Sequence, residues 1–125
     1  PWSTVRVAVG HGTTRGGYAA AARLLMDHPW LTGLVCGNDR MAMGAYDAIR
    51  ERGLRVREDV AVIGIDDQEL IADQLHPALT TVALPFEEMG QVAASHLLAL
   101  MEGEEVPAET LLPGQIIRRS PAWHP

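Results

Sequence analysis

Residues 33–67, GLVCGNDRMAMGAYDAIRERGLRVREDVAVIGIDD, constrain this chain more than any other stretch, because they read strand, helix, strand. Residues 33–37 are a short apolar run that stops on Asn38-Asp39, and residues 60–65 (VAVIGI) are an unbroken apolar run that stops on Asp66-Asp67. A run apolar at every position, not every second one, predicts a strand buried on both faces, as in a parallel sheet covered by helices. Between the two, Ala42, Ala45, Tyr46 and Ile49 recur at helical spacing, and Gly53 stands where a helix would stop. The result is one βαβ unit whose strands both end on polar pairs at the same rim. Open α/β sheets bind their ligands there, beyond the carboxyl ends of the strands.

The flanking sequence extends this unit. Residues 5–10 (VRVAVG) predict a first strand, followed by the polar turn HGTTRGG. Residues 18–28 predict a helix with Tyr18, Ala22, Leu25 and Met26 on one face, ended by Pro29. After the central unit, residues 68–75 predict a short amphipathic helix that stops before Pro77, with Asp67 as its N-cap. Residues 80–84 (TTVAL) predict a further strand, and 85–101 a long helix that begins with proline. Its stripe of Phe86, Met89, Ala93, Leu97 and Leu100 is widened by Val92, Leu98 and Ala99, an apolar face broader than the rest of the chain can cover. Two short β-like pieces, 111–112 and 115–117, precede a polar end, RRSPAWHP, expected to fray. Residues 1–4 read as the tail of a linker. Strands alternating with helices predict an α/β fold, a parallel sheet with right-handed crossovers flanked by helices.

Composition narrows the function. With 10 basic against 16 acidic residues, the net charge of −6 argues against this piece wrapping a phosphate backbone by itself. No apolar stretch approaches the length that spans a bilayer, so no membrane partner is expected. The single cysteine, Cys36, falls in a predicted buried strand, where it reads as a small core hydrophobe in a reducing compartment.

Three strand ends then line one rim: His11, Thr13, Thr14 and Arg15 on the first, Asn38 and Asp39 on the second, Asp66 and Asp67 on the third. An amide, carboxylates, hydroxyls and a guanidinium suit a ligand with several hydroxyl groups, because a carboxylate accepts from neighbouring hydroxyls while an amide both gives and accepts. Asp39 and Asp67 each have a competing role as helix caps, the commoner use of Asp where a helix opens. Asn38 and Asp66 sit between strand and cap, so a ligand contact and a plain turn position stay equally open for them. Enzymatic alternatives are weaker. Gly10-His11-Gly12 resembles a dinucleotide-binding turn, but the pattern G-x-G-x-x-R lacks the third glycine. The adjacent carboxylates Asp66-Asp67 seldom point to one metal, and no G-x-S-x-G or converging nucleophile and base occurs. No catalytic residue, metal ligand or cofactor is expected.

At this level of detail the chain resembles a family. CGNDRMAMGAYDAIRERGLRVREDVAVIGIDD, then HPALTTVALPFEEMGQVAASHLLAL, then LLPGQIIRRS, is similar at these spacings to the later part of LacI/GalR-type transcriptional regulators, over residues 5–120. The resemblance implies a Rossmann-like lobe of a periplasmic binding protein type I fold, working in the cytoplasm as a homodimer or higher homo-oligomer. It implies a small sugar-like or nucleoside-like effector bound between two lobes, and operator DNA contacted only through an N-terminal domain that these residues do not include. It divides the chain into a C-terminal lobe (1–84), a crossover helix packed with the first lobe (85–102) and terminal strands returning to the C-terminal lobe (103–125). Asn38 and Asp66 match effector-contacting positions, with His11, Thr13 and Arg15 on the neighbouring turn. That turn departs from the family's habit of an Asp and then an aromatic, here His11 and Gly12, which implies an atypical effector or an aromatic supplied elsewhere. Met43, Asp47, Leu70 and Gln74 lie on helices that the resemblance makes dimer-contact candidates. A sugar-import receptor of the same fold is the alternative, and a nucleotide-dependent enzyme a more distant one. Without a first lobe beside it, the broad helix is expected to fold back, swap between protomers or be covered by oligomerisation.

Overall fold

The computed structural model describes residues 5–119. Residues 1–4, read as linker, and 120–125, most of the end read as frayed, lie outside the described residues. The elements run α1 (Thr14–Asp27), β1 (Gly33–Val35), α2 (Asp39–Glu51), β2 (Ala61–Ile65), α3 (Glu69–Ala72), β3 (Thr80–Ala83), α4 (Phe86–Met101) and β4 (Gln115–Ile117). The strands form one sheet in the order β1-β2-β3-β4. β1 to β3 are parallel, with Leu34 beside Val62 and Gly64 beside Thr81. This is an α/β fold with a mainly parallel sheet flanked by helices, as the sequence predicts.

The core forms where the central unit predicted it. Ala42, Ala45, Tyr46 and Ile49 are all buried, together with Val60, Val62 and Leu79 from the sheet side. α1 lies across α2 so closely that a Cβ on Gly44 would stand 2.0 Å from the Thr14 carbonyl oxygen, and one on Gly17 2.3 Å from that of Met41. Only a residue without a Cβ allows two backbones this near. The face of α1 that does the packing carries Ala21 and Leu25, whereas Met26, expected on it, is exposed. α1 also begins earlier than the periodicity suggests, because Thr13 caps it.

Four expectations are corrected. Residues 5–10 form no strand: Val5, Val7 and Val9 stay exposed, and a groove separates the segment from β1. Alternating valines confer a propensity, but a strand exists only when a neighbour accepts its backbone bonds. Burial on both faces is not reached either. β2 alternates buried Val62 and Gly64 with half-buried Ala61, Ile63 and Ile65, and β1 leaves Val35 open. The apolar runs are those of a doubly covered strand, but the described residues fully cover only the α2 side. Next, α3 spans only Glu69–Ala72 of the predicted 68–75. Last, the sheet is not wholly parallel. Residues 111–112 are not a strand, and β4 runs antiparallel to β3, with Ala83 beside Gln115.

That last pairing explains itself. The chain leaves the sheet after Ala83 and returns at Gln115, the partner of the residue it left from. An excursion that comes back to its own point of departure enters the sheet running the other way, like a hairpin with α4 in its loop. α4 itself buries none of its residues, and Phe86, Leu97, Leu98, Leu100 and Met101 are exposed. It does not fold back onto the lobe far enough to bury one. Among the described residues no helix is long and apolar enough to cross a membrane.

Candidate functional site

The rim is assembled at the start of α2. Asn38 has an extended backbone, and its Oδ1 accepts a hydrogen bond from the Met41 N–H at 2.8 Å. Asn38, not Asp39, is therefore the N-cap. Its Nδ2 donates to the Gly12 carbonyl oxygen at 3.0 Å, which fastens the His11-Gly12 turn to the α2 terminus. Asn38 thus has the capping role that the sequence assigns to Asp39.

Asp39, freed from capping, turns into the sheet and is completely buried. Thr81 Oγ1 donates to its Oδ1 at 2.6 Å, and the Gln68 N–H donates to its Oδ2 at 2.7 Å. Room exists because residue 64 is glycine: a Cβ there would stand 2.1 Å from Asp39 Oδ1. Burial pushes the Asp39 carboxyl up, opposed by these two hydrogen bonds, with the charges of Asp66 and Asp67 adding to the rise. A buried carboxylate is tolerable only when bonded in this way, and the first turn of a helix is the favourable place for it.

The end of β2 is the second component. Asp66 and Asp67 both have positive φ, 109° and 57°. Non-glycine residues in this region cost roughly 1–3 kcal/mol each and persist only where their surroundings over-determine them. Here the surroundings are visible. The Asp66 N–H donates to the Val82 carbonyl oxygen at 2.9 Å, and Asp66 Oδ2 accepts from Gln68 Nε2 at 3.0 Å. Asp67 is not the cap of α3, whose N-cap is Gln68 with no side-chain bond. It forms an ion pair of 2.7 Å with Arg119 instead. Arg119 also bonds Asp73 and donates to the Leu79 carbonyl oxygen at 3.3 Å. Burial pulls its guanidinium down, but the bonds and charges of Asp67 and Asp73 outweigh that and raise it. Sequence reasoning missed Arg119 because it sits in the polar end taken for a frayed tail. The strand-like Gln115–Ile117 just before it was the available signal.

The third component is the turn before α1. His11 is exposed at φ 53°, and the Thr13 Oγ1 accepts from the Gly16 N–H at 3.0 Å as the α1 cap. Thr13 thus has a structural use for its hydroxyl. Arg15 is exposed and lines a groove with Tyr18, Asp47, Arg50 and Glu51, between α1 and α2. Burial, with the Asp39 charge second, pushes the Cys36 thiol up to about 11, so it stays protonated. Of the dimer-contact candidates, Met43 is half-buried and Asp47, Leu70 and Gln74 are exposed. Among the described residues no three His, Cys, Asp or Glu side chains gather as a metal site.

The turn before α1 and the ends of β1 and β2 are thus joined by a network, Gly12–Asn38 on one side and Asp39–Gln68–Asp66 on the other. Asn38 retains one amide hydrogen and Asp66 a carboxylate oxygen beyond the bonds described, and both side chains are half-buried. Such a pair can accept from and donate to hydroxyls.

Residues 3–120 match the periplasmic binding protein-like domain. The chain belongs to that family. It is 42% identical over 115 residues to the HTH-type transcriptional regulator MalR of Streptomyces coelicolor, covering 90% of this chain and 33% of MalR. Among solved structures, a lac repressor dimer bound to operator and the anti-inducer ONPF superposes at TM-score 0.82 with 34% identity, over 92% of this chain and 34% of that one. A LacI family transcriptional regulator from Arthrobacter sp. FB24, in complex with lactose, superposes at TM-score 0.72 with 36% identity, over 89% of this chain and 42% of that one. The resemblance to LacI/GalR-type regulators read from the sequence therefore holds, and the fold is that of a periplasmic-binding-protein-like lobe. The chain spans about a third of the length of most of the curated relatives it matches, MalR among them.

Proposed function

We propose that this chain is the ligand-sensing C-terminal lobe of a transcriptional regulator, and that its rim forms one side of a cleft for a small sugar-like or nucleoside-like effector. The observation that carries this reading is the network through Asn38, Asp39, Gln68 and Asp66. It uses strained turns at the ends of parallel strands to present polar groups at one rim. The relative solved with lactose supports a polyhydroxyl ligand, to which Asn38 would donate and Asp66 would accept. His11 would line the same cleft from its exposed turn, beside Thr13. Arg15, which lines the groove between α1 and α2, would reach the ligand only by turning its side chain.

The lobe is residues 1–84, joined by 103–125, and residues 85–102 cross to a second lobe that covers the apolar face of α4. Closure of the two lobes on the effector gives Asn38 and Asp66 partners that the open state lacks, which biases the equilibrium towards the closed form. That shift alters the grip of a homodimer on operator DNA, contacted through a separate domain. Met43, Asp47, Leu70 and Gln74 are the candidate dimer contacts, in keeping with the dimeric relative. No catalytic step is assigned, and the site of action is the cytoplasm. The test is calorimetric titration of the intact regulator with lactose and ribose, repeated on Asp66→Ala and Asn38→Ala. Loss of at least about tenfold in affinity for each variant is expected, measured below a melting temperature that Asn38→Ala lowers through loss of the α2 cap. Binding indifferent to both substitutions would remove the rim from the effector site.

A further inference from the structure

We propose that Arg119 is a positioning residue for the rim, a clamp that holds the Asp66-Asp67 turn in the conformation the effector meets. The proposal rests on the rim being the effector site. Two successive residues there have positive φ, a conformation that their own chemistry disfavours. Local bonds account for Asp66, through Val82 and Gln68. Asp67 depends on something far away in sequence. Its carboxylate meets Arg119 at 2.7 Å, and its N–H reaches Thr81 Oγ1 only at 3.4 Å.

Arg119 is well placed to impose a conformation. Its side chain is only 15% exposed. Its guanidinium spans Asp67, Asp73 and the Leu79 carbonyl oxygen, while its backbone N–H donates to Thr80 Oγ1 at 3.4 Å. One planar fork therefore ties the turn after β2 to the segment after α3 and to the start of β3. The Asp73 and Leu79 contacts are hydrogen bonds, whereas the buried Asp67 Oδ1 receives no aligned hydrogen bond and is held by the opposite charge. The neighbouring residue Gln68 depends on the same turn. Its N–H is aimed at Asp39 and its side chain at Asp66. Release of Asp67 would loosen both bonds.

The position of Arg119 in the chain adds a consequence. β3 and β4 are the two ends of the excursion through α4. β3 supplies Thr81 to Asp39, and the strand end of β4 supplies Arg119 to Asp67. The two strands that flank the excursion through α4 thus each lead to a carboxylate of the rim.

Amide hydrogen exchange on the intact protein tests the clamp without any ligand. In Arg119→Met, the Gln68 amide should exchange at least about tenfold faster. The amides of Cys36 and Ala61, which bond Ile63 and Thr32 on the far side of the sheet, should keep their rates. Arg119→Lys, which retains charge but not the fork, should accelerate Gln68 by a smaller factor, and it serves if the Met variant does not fold. Unchanged Gln68 exchange in the variants that fold, or acceleration shared equally by Cys36 and Ala61, would overturn the proposal. Titration of the same variants with lactose separates the two readings. Weaker binding that follows the Gln68 rate supports the clamp as a positioning device. A wild-type protein that binds neither sugars nor nucleosides removes the effector reading, whereas the exchange result still decides whether the clamp exists.

Discussion

Two helices that follow strands of the sheet, α2 and α4, each carry an apolar face and have opposite fates. α2 buries seven of its residues, among them Ala42, Ala45, Tyr46 and Ile49, and its first turn is built into the rim. α4 is longer and more apolar, and buries none. The difference is one of partners. α2 stands between two strands it connects, so the short crossover forces its apolar face onto them. α4 connects two antiparallel neighbours, which a tight turn could join without a crossover, whereas the parallel pair joined by α2 requires one, so nothing in its connection obliges α4 to touch the sheet. Apolar periodicity sets which face a helix would bury, and connectivity sets whether it can.

The comparison can be broken most severely at the α1–α2 contact and in the core. Ile49→Ala should cost about 2–5 kcal/mol, since the side chain is fully buried, whereas Leu97→Ala on α4 should cost this chain less than about 0.5 kcal/mol. Urea melts of the two variants compare them directly, and equal losses would show that α4 is packed in solution. Gly44→Ala brings a methyl onto the Thr14 carbonyl oxygen and should destabilise by about 1–3 kcal/mol, even though alanine favours helix.

A smaller effect is expected at the rim. Asp39→Asn replaces two charge-assisted bonds by weaker neutral ones: with its amide oxygen on the Gln68 N–H, its nitrogen must donate to Thr81 Oγ1 and reverse that bond. A cost of about 1–3 kcal/mol by thermal melting is expected, with the Gln68 amide shift displaced. Because burial raises the Asp39 carboxyl, its ionised form opposes folding above the shifted value, and acidification relieves that cost.

The smallest effect concerns pH at the α2–β2 connection. Asp59 accepts from the Arg55 backbone and from both arms of its guanidinium, and the Arg55 bond above all holds the Asp59 carboxyl down to about 2. A lowered carboxyl stabilises the fold at and above its ordinary value of 3.8, and that contribution fades as pH falls from there to about 2. Asp59→Asn should flatten this part of a stability-versus-pH curve and leave the curve above pH 5 nearly parallel to wild type, since the pair is exposed.

The sequence was sufficient for the central βαβ unit, for the face of α2 that is buried and for the position of the rim. These follow from periodicity and from polar residues that end apolar runs, and both are local properties of the chain. The bounds of α4 were equally legible, because proline opens it and Gly103 follows its end. Which residue caps α2 was not legible, since Asn38 and Asp39 are both good caps. The choice was made by Gly64, Thr81 and Gln68, which offer a buried carboxylate a place and two donors. Nor could the sequence show that Asp67 answers to Arg119, or that residues 5–10 lack a ladder. Capping alternatives, ion pairs across the fold and strand pairing depend on atoms distant in sequence. Local pattern states what each segment can do, and the tertiary structure decided by supplying or withholding the partner.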